Sequence, residues 1–520
     1  MIERLVPVQN GYTVYAGNTT LHSRYNPAGE AEKYIGSLGL EKSCGWFILI
    51  EPGLGYLEAA LQKQFPGSRI ITLHCSAFYG GQKDLSAAGF LTKGDLCWYP
   101  GCGRELEPFL EDLLTGTEGS GVKLIEWRPS INAYGSACLE LAGRTVECLK
   151  RIAANRITVR NFGRRWVKNA LRNLGILGNP LKVRGGERPL VVCAAGPSLE
   201  DVLDHIAEWK DLPGGPLVMA VSSAVPALLH RRILPDMVIT TDGGEWALFH
   251  LFESCREFPG KAPVEPCKIP PQGAVAAAGS GRGADQPFPH PIIAAGFTAA
   301  LPSQIEPWPA LVLCDGSLWQ ELLLGAFHIP FLSFPQRGTV SASALDLALY
   351  LTAGRVYIAG LDFTHRDLKT HARPHAFEKT LERCASRFRP LYSQNFIREH
   401  TIGSSGSHGI YTAWFKTYAG SFPGRIYSLG GRADLGIPPA APEIGPENSF
   451  PGPRVQGVPK GDPRGGVKAG AALLVKALAN PGMQKQLSRE LGELLAPDMP
   501  VEEKDLSGVL QSTLMELCDG

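Results

Sequence analysis

The chain has 520 residues, 44% of them apolar and 19% charged, with a formal net charge of +1. That length allows two or three domains and a large core, and the composition is that of a soluble globular protein. The near-neutral balance gives no electrostatic case for nucleic acid or an anionic membrane as partner.

The opening "MIERLVPVQNGYTVYAG" lacks the basic region followed by an apolar run that export requires, and no apolar stretch approaches the roughly 20 residues of a membrane span. Twelve cysteines are scattered singly from Cys44 to Cys518, and the closest pair, Cys97 and Cys102, has no matching second pair. This spacing argues against a zinc site and for reduced thiols in a cytoplasm.

Residues 1–135 read as a first, smaller Rossmann-like α/β unit. "WFILIEPGLGYLEAAL" is an apolar strand, a glycine turn and a helix, and "SRIITLHC" is a second strand. The "GLGYLEAAL" turn lacks the third glycine of the dinucleotide fingerprint, so it is either a cofactor loop or a tight strand-to-helix turn. Residues 136–185 form a helical connector. Apolar residues there recur at three- and four-residue spacing with one break near Ile157-Thr158-Val159, which predicts two amphipathic helices. Arg164, Arg165 and Lys168 fall on a solvated helix face.

Residues 186–436 form the central domain. Its candidate strands are "PLVVCAA", "PLVMAVSS", "MVITTDG", "PIIAAGF", "ALVLCDG", "RVYIAGLDF" and "RIYSLGG", with helical segments between most of them. Continuous apolar strands alternating with helices predict a mostly parallel, doubly wound sheet whose ligands collect at the carboxyl ends of the strands. The Pro/Gly/Ala-rich stretch 260–291 is a lid or a long loop, 437–466 is a linker by composition, and 467–520 is a helical tail.

The polar clusters lie at those carboxyl ends. "PLVVCAA" runs into Gly196-Pro197-Ser198-Leu199, where Gly196 permits close backbone approach and Pro197 suits a first helical turn. Ser198 is a natural N-cap with Asp201 three residues on. Such a helix end is either a cap alone or a phosphate site. Ser222, Thr241-Asp242, Ser341 at a Ser/Thr-rich helix start, and Asp362 occupy corresponding positions, where carboxylates suit ribose or sugar hydroxyls. "DFTHRDLKTHARPHAFE" adds His365, His371 and His375. Pro374 interrupts the helical spacing a metal pair would need, so His365 and His375 read as solvent-exposed.

These stretches resemble the motility-associated factor family, built on a domain also named for its 6-hydroxymethylpterin diphosphokinase-like members. The likeness rests on "LHSRYNPAGEAEKY", "FGRRWVKNALRNL", "AAGPSLEDVL", "ILPDMVITTDGG", "GTVSASALDLAL", "GLDFTHRDLKTHA" and "YTAWFKTYAGSFPGRIYSLGGRADLGI", and covers residues 10–437 in the family's order. It implies a glycosyltransferase that moves a nonulosonic, sialic-acid-like sugar from a CMP-linked donor to serine or threonine of flagellin. Inversion at the anomeric carbon, no metal and no cofactor beyond the donor follow from the same resemblance.

The segments Gly196–Leu199 and Tyr357–Phe363, the latter containing Gly360, are similar to bacterial sialyltransferases, where the first turn lies against the donor nucleotide. Matching to those enzymes puts Thr364 and His371 where two tyrosines hold the departing phosphate, and His408 where the general base stands. Ala195 and Ser222 depart from the residues common in relatives. The family's other branch implies an ATP- and magnesium-dependent pterin diphosphokinase with Asp242 and Asp362 as metal ligands. A third reading is a non-catalytic flagellin-binding factor.

Overall fold

In "WFILI", alternate side chains enter two different cores. Trp46, Ile48 and Ile50 pack with Leu106, Phe109 and Leu110, whereas Phe47 and Leu49 pack with Ile35, Leu57 and Leu61. A strand apolar on both faces has helices on both sides of its sheet, which favours parallel pairing. The computed structural model describes residues 2–41, 44–81, 96–114, 121–258, 290–402, 406–430, 435–439, 451–458, 466–497, 499 and 505–519. The chain divides into two compact units, residues 1–163 with 492–506 and residues 164–491 with 507–520. Among the described residues no helix is long and apolar enough to cross a membrane.

The first unit opens with an antiparallel sheet that the sequence did not announce, β1 (Glu3–Val8), β2 (Gly11–Ala16) and β3 (Thr19–Thr20). A parallel sheet follows, in the order β6-β5-β4-β7, from β4 (Cys44–Ile50), β5 (Arg69–Leu73), β6 (Cys97–Trp98) and β7 (Gly121–Glu126). The glycine turn after β4 is a tight connection: Gly53 has φ +71°, and the next amide, Leu54 N–H, donates to His22 Nε2 at 2.8 Å. Burial pushes His22 down to about 3, so its ring is neutral and able to accept that bond.

At the ends of β4 and β5, the Glu51 carboxylate accepts from Cys75 N–H at 2.6 Å and lies 3.2 Å from His74 Nδ1. Burial works against a charged His74, but Glu51 and the Cys97 thiol outweigh it and raise the ring to about 10.

The expected pair of connector helices is a single helix, Ser136–Ile176, 41 residues long. Thr158 Oγ1 donates to the Ala154 carbonyl at 3.0 Å, which satisfies the hydroxyl inside the helix.

In the second unit a ten-stranded sheet runs β16-β15-β9-β10-β11-β12-β13-β8-β17, with β14 also paired to β13. Its strands are β8 (Asn179–Arg184), β9 (Leu190–Cys193), β10 (Leu217–Val221), β11 (Met237–Thr240) and β12 (Ile292–Gly296). They continue with β13 (Pro309–Cys314), β14 (Phe331–Ser333), β15 (Val356–Ala359), β16 (Ile426–Ser428) and β17 (Arg454–Gly457). Strands β8 to β16 are parallel and β17 is antiparallel to β8.

The seven expected strands are β9 to β13, β15 and β16. Strand β17 falls inside the stretch read as a linker; it is a short edge strand whose residues are half-buried or exposed, so it carries no apolar signature. Residues 259–289, which include most of the proline-rich insertion, lie outside the described residues. The tail forms helices Gly466–Leu478, Pro481–Leu495 and Leu506–Asp519.

The chain order fixes where a site belongs. From β9 the sheet grows through β10 to β13 on one side, and β15 and β16 are added on the other. The strand order therefore reverses between β9 and β15, and their carboxyl ends open a crevice of the kind that receives ligands in such sheets.

Candidate functional site

Two loops meet at that crevice. Beyond β9, Gly196 N–H donates to Gly360 O at 2.8 Å, Ser198 N–H to Asp362 Oδ2 at 2.7 Å and Ser198 Oγ to Asp362 Oδ1 at 2.5 Å. Leu199 N–H closes back on Gly196 O at 3.0 Å, and Pro197 has no N–H to give. Each N–H of residues 196–199 is thus already bonded within the protein.

The expectation of a phosphate on these amides is corrected: a buried carboxylate from the end of β15 stands where the anion was expected. Ser198 is also not the N-cap. Residues Pro197–Asp201 form a 3₁₀ turn capped by Gly196, and Asp201 pairs with Arg366 instead of closing a capping box. The glycines serve this junction. A Cβ on Gly196 would lie 2.6 Å from Gly360 O, and Gly360 itself has φ +69°.

A loop from Phe363 to His375 is strapped over the same turn. Arg366 bonds Asp201 and the Pro197 carbonyl, Lys369 Nζ reaches Glu200 Oε2 at 2.6 Å, and Arg373 N–H donates to Glu200 Oε1 at 2.9 Å. The hydrogen bond from Arg366 holds the Asp201 carboxyl below its ordinary range. Ala372 N–H donates to Ala195 O at 2.8 Å, which sets His371 beside the end of β9. Thr370 Oγ1 lies 2.9 Å from His371 Nδ1 and orients the ring.

His375 is buried, contrary to the exposed position expected of it. It caps the Ala376–Arg383 helix, its Nδ1 accepting from Phe377 N–H at 3.2 Å. Its ring stacks on His371, 4.1 Å between centroids and 13° between planes, and meets His250 at 4.6 Å. Burial pushes His250 down to about 4. Phe377 packs on all three imidazoles and crosses Trp246 edge to face at 4.4 Å. Trp246, Phe377, Thr380 and Leu381 line a cavity of about 270 Å³. Among the described residues no group of three His, Cys, Asp or Glu side chains is placed to hold a metal ion.

The remaining expected residues sit at neighbouring strand ends. Ser222 is buried at the start of a 3₁₀ turn after β10. Thr241 is half-buried after β11, and Asp242 is exposed, its Oδ1 accepting from Gly244 N–H at 2.8 Å. Ser341 is half-buried in the first turn of the Val340–Leu351 helix, and Thr364 is exposed. His408 lies on the Gly406–Gly420 helix, but its side chain is outside the described residues.

Sequence reasoning missed two supports. Asn169 Nδ2 donates to Gly243 O and Thr298 O, both at 3.1 Å, and Asn173 Nδ2 to Phe297 O and Ala299 O, both at 2.9 Å. "FGRRWVKNALRNL" therefore buttresses the loops after β11 and β12. The second is buried Asp346, which accepts from Arg337 Nε at 2.7 Å and from Tyr418 O–H at 2.5 Å, while Arg337 also lies over Trp414. His250 gave no signal beyond being one polar residue in the apolar run "EWALFHLF".

Residues 164–264 match the family described as 6-hydroxymethylpterin diphosphokinase MptE-like, so the chain carries an MptE-like segment. Among solved structures, its fold is similar to the MAf glycosyltransferase from Magnetospirillum magneticum AMB-1, with a TM-score of 0.50 and 10% identity over 99% of this chain and 86% of that one. The first match concerns one segment of the chain and the second its fold. Two uncharacterized proteins of Treponema pallidum (strain Nichols) are 29% identical over 273 residues and 27% identical over 259 residues. Those matches cover 52% and 47% of this chain, and the chain spans about half the length of these relatives, 53% and 43%.

Proposed function

We propose that the protein is a glycosyltransferase that moves a nonulosonic sugar from a CMP-linked donor to a serine or threonine of flagellin, with inversion. The observation that carries this reading is the strapped junction between β9 and β15, which holds His371 over the carboxyl end of the sheet. The fold shared with a glycosyltransferase structure supports it.

Cleavage of the bond between the anomeric carbon and CMP leaves negative charge on the phosphate and positive charge on the sugar. Because the turn amides are engaged internally, side chains of the strap meet the phosphate. His371, oriented through Thr370, donates to the departing oxygen. Asp242, exposed at the end of β11, accepts from sugar hydroxyls. His408 is assigned to take the proton of the attacking hydroxyl on the opposite face. The protein then acts in a cytoplasm on a newly made flagellin.

The diphosphokinase reading is favoured by the description of the matched family. It requires magnesium on Asp242 and Asp362, yet both oxygens of Asp362 already accept from Ser198, so an ion there competes with Ser198 for the carboxylate. Thermal unfolding with CMP and with ATP plus magnesium separates the readings. Stabilisation by CMP alone, with transfer of labelled sugar to flagellin, is the expected result. Stabilisation by ATP and magnesium alone overturns it in favour of the kinase, and stabilisation by neither favours a binding factor.

A further inference from the structure

The Ala376–Arg383 helix supplies Phe377, Thr380 and Leu381 to the cavity wall, and from its end onward the nine residues 382–390 are all exposed. Ser386 and Arg389 pair through both backbone groups, at 3.0 and 3.1 Å, so Arg387 and Phe388 form the tip of a tight turn. Phe388 is 93% exposed.

The next helix, Leu391–Ile402, packs on the first and presents Tyr392, Phe396 and Ile397 to solvent. Residues i and i+4 share a helix face, and Tyr392 stacks on Phe396. These exposed apolar side chains and the cavity belong to two helices in contact with each other, a grouping that points to an interaction site.

Charge selects the occupant. Arg383, Arg387 and Arg389 are exposed, and no Asp or Glu stands between Glu382 and Glu399. Arg383 is one turn beyond Thr380, on the ridge next to the cavity. We infer that this surface docks an acidic polypeptide segment, one apolar side chain filling the Trp246–Phe377 cavity and flanking carboxylates meeting the three arginines. A cavity of about 270 Å³ suits one such side chain. A nucleic acid or membrane partner calls for a longer basic field than a chain of net charge +1 supplies. The inference goes beyond the transfer reading and stands without it.

The test uses the full-length protein without any sugar donor and short fluorescein-labelled peptides carrying one Phe among Asp and Glu. Anisotropy is expected to rise with the acidic peptide, and to need about tenfold more protein when its acids become Lys or its Phe becomes Ala. The triple variant Arg383→Glu, Arg387→Glu, Arg389→Glu is expected to unfold at the wild-type temperature and reverse the preference. Leu381→Asp is expected to weaken binding by a similar factor. Equal binding of acidic and Lys peptides, an unchanged triple variant, or no acidic-peptide binding at millimolar concentration overturns the inference. Tighter, arginine-dependent binding of single-stranded RNA or phosphatidylserine vesicles overturns it as well.

Discussion

Ser198 gives both its N–H and its hydroxyl to the two carboxylate oxygens of Asp362, a pairing that joins the loops after β9 and β15 where the strand order reverses. Both residues are buried, so the pair is insulated from water. Buried donors left without an acceptor cost about 1–3 kcal/mol each. Asp362→Ala is therefore expected to lower the unfolding temperature by several degrees in calorimetry, and Ser198→Ala by less, since it leaves the amide bonded. Equal unfolding temperatures for wild type and Asp362→Ala would show that the pair does not hold the junction.

Gly360→Ala tests the same junction from the backbone. At φ +69° an L side chain is strained, and its Cβ would stand 2.8 Å from Leu199 Cβ. A loss of about 2 kcal/mol is expected from strain and overpacking together, read as a lower denaturation midpoint. Gly36→Ala, in a helix with open space around the added methyl, is the control and is expected to raise the midpoint slightly, by up to about 1 kcal/mol.

Two buried histidines set the acid limit. His22 and His250 titrate at about 3 and about 4 in the folded chain, against 6.5 unfolded. Folded values below the unfolded one mean that the unfolded chain takes up protons first as pH falls. Stability is then complete above pH 6.5 and declines toward pH 4 and 3, by up to about 1.4 kcal/mol per pH unit for each ring. His74, raised to about 10, acts in the opposite direction: its contribution is full below 6.5 and is lost as pH rises through 10. His250→Phe is expected to flatten the acid limb between pH 6.5 and 4 in urea titrations; an unchanged slope refutes this origin.

For the proposed transfer, His371→Ala is expected to slow sugar release from CMP by about 10²–10⁴-fold while the protein unfolds at nearly the wild-type temperature. Thr370→Val, which removes only the partner of Nδ1, is expected to shift the pH profile of turnover with a smaller loss. Full activity of His371→Ala removes that ring from the mechanism.

The sheet of the second unit was legible because its strands are continuous apolar runs ending in glycine or an acid, as in "LVVCAAG" and "VYIAGLD". Strand β17 was not, because an exposed edge strand needs no apolar pattern. The long helix escaped because Ile157-Thr158-Val159 has low helix propensity, which the rest of the helix overrides. At the site, the residue types were read correctly as belonging to strand ends, but not their partners. Asp362 and Ser198 are 164 positions apart, and nothing local in either says that one satisfies the other. His375 was misplaced for the same reason: its ring packs on His250, which a distant helix contributes.

Because the Gly196–Leu199 turn keeps its hydrogen bonds for the chain itself, it works as a hinge pin rather than a socket. In the proposed transfer, the polar groups left for chemistry at this edge of the sheet belong to the overlying segment 363–375, which ion pairs from Arg366 and Lys369 help fasten. If that proposal holds, specificity is open to change in the loop while the scaffold beneath keeps its own bonds.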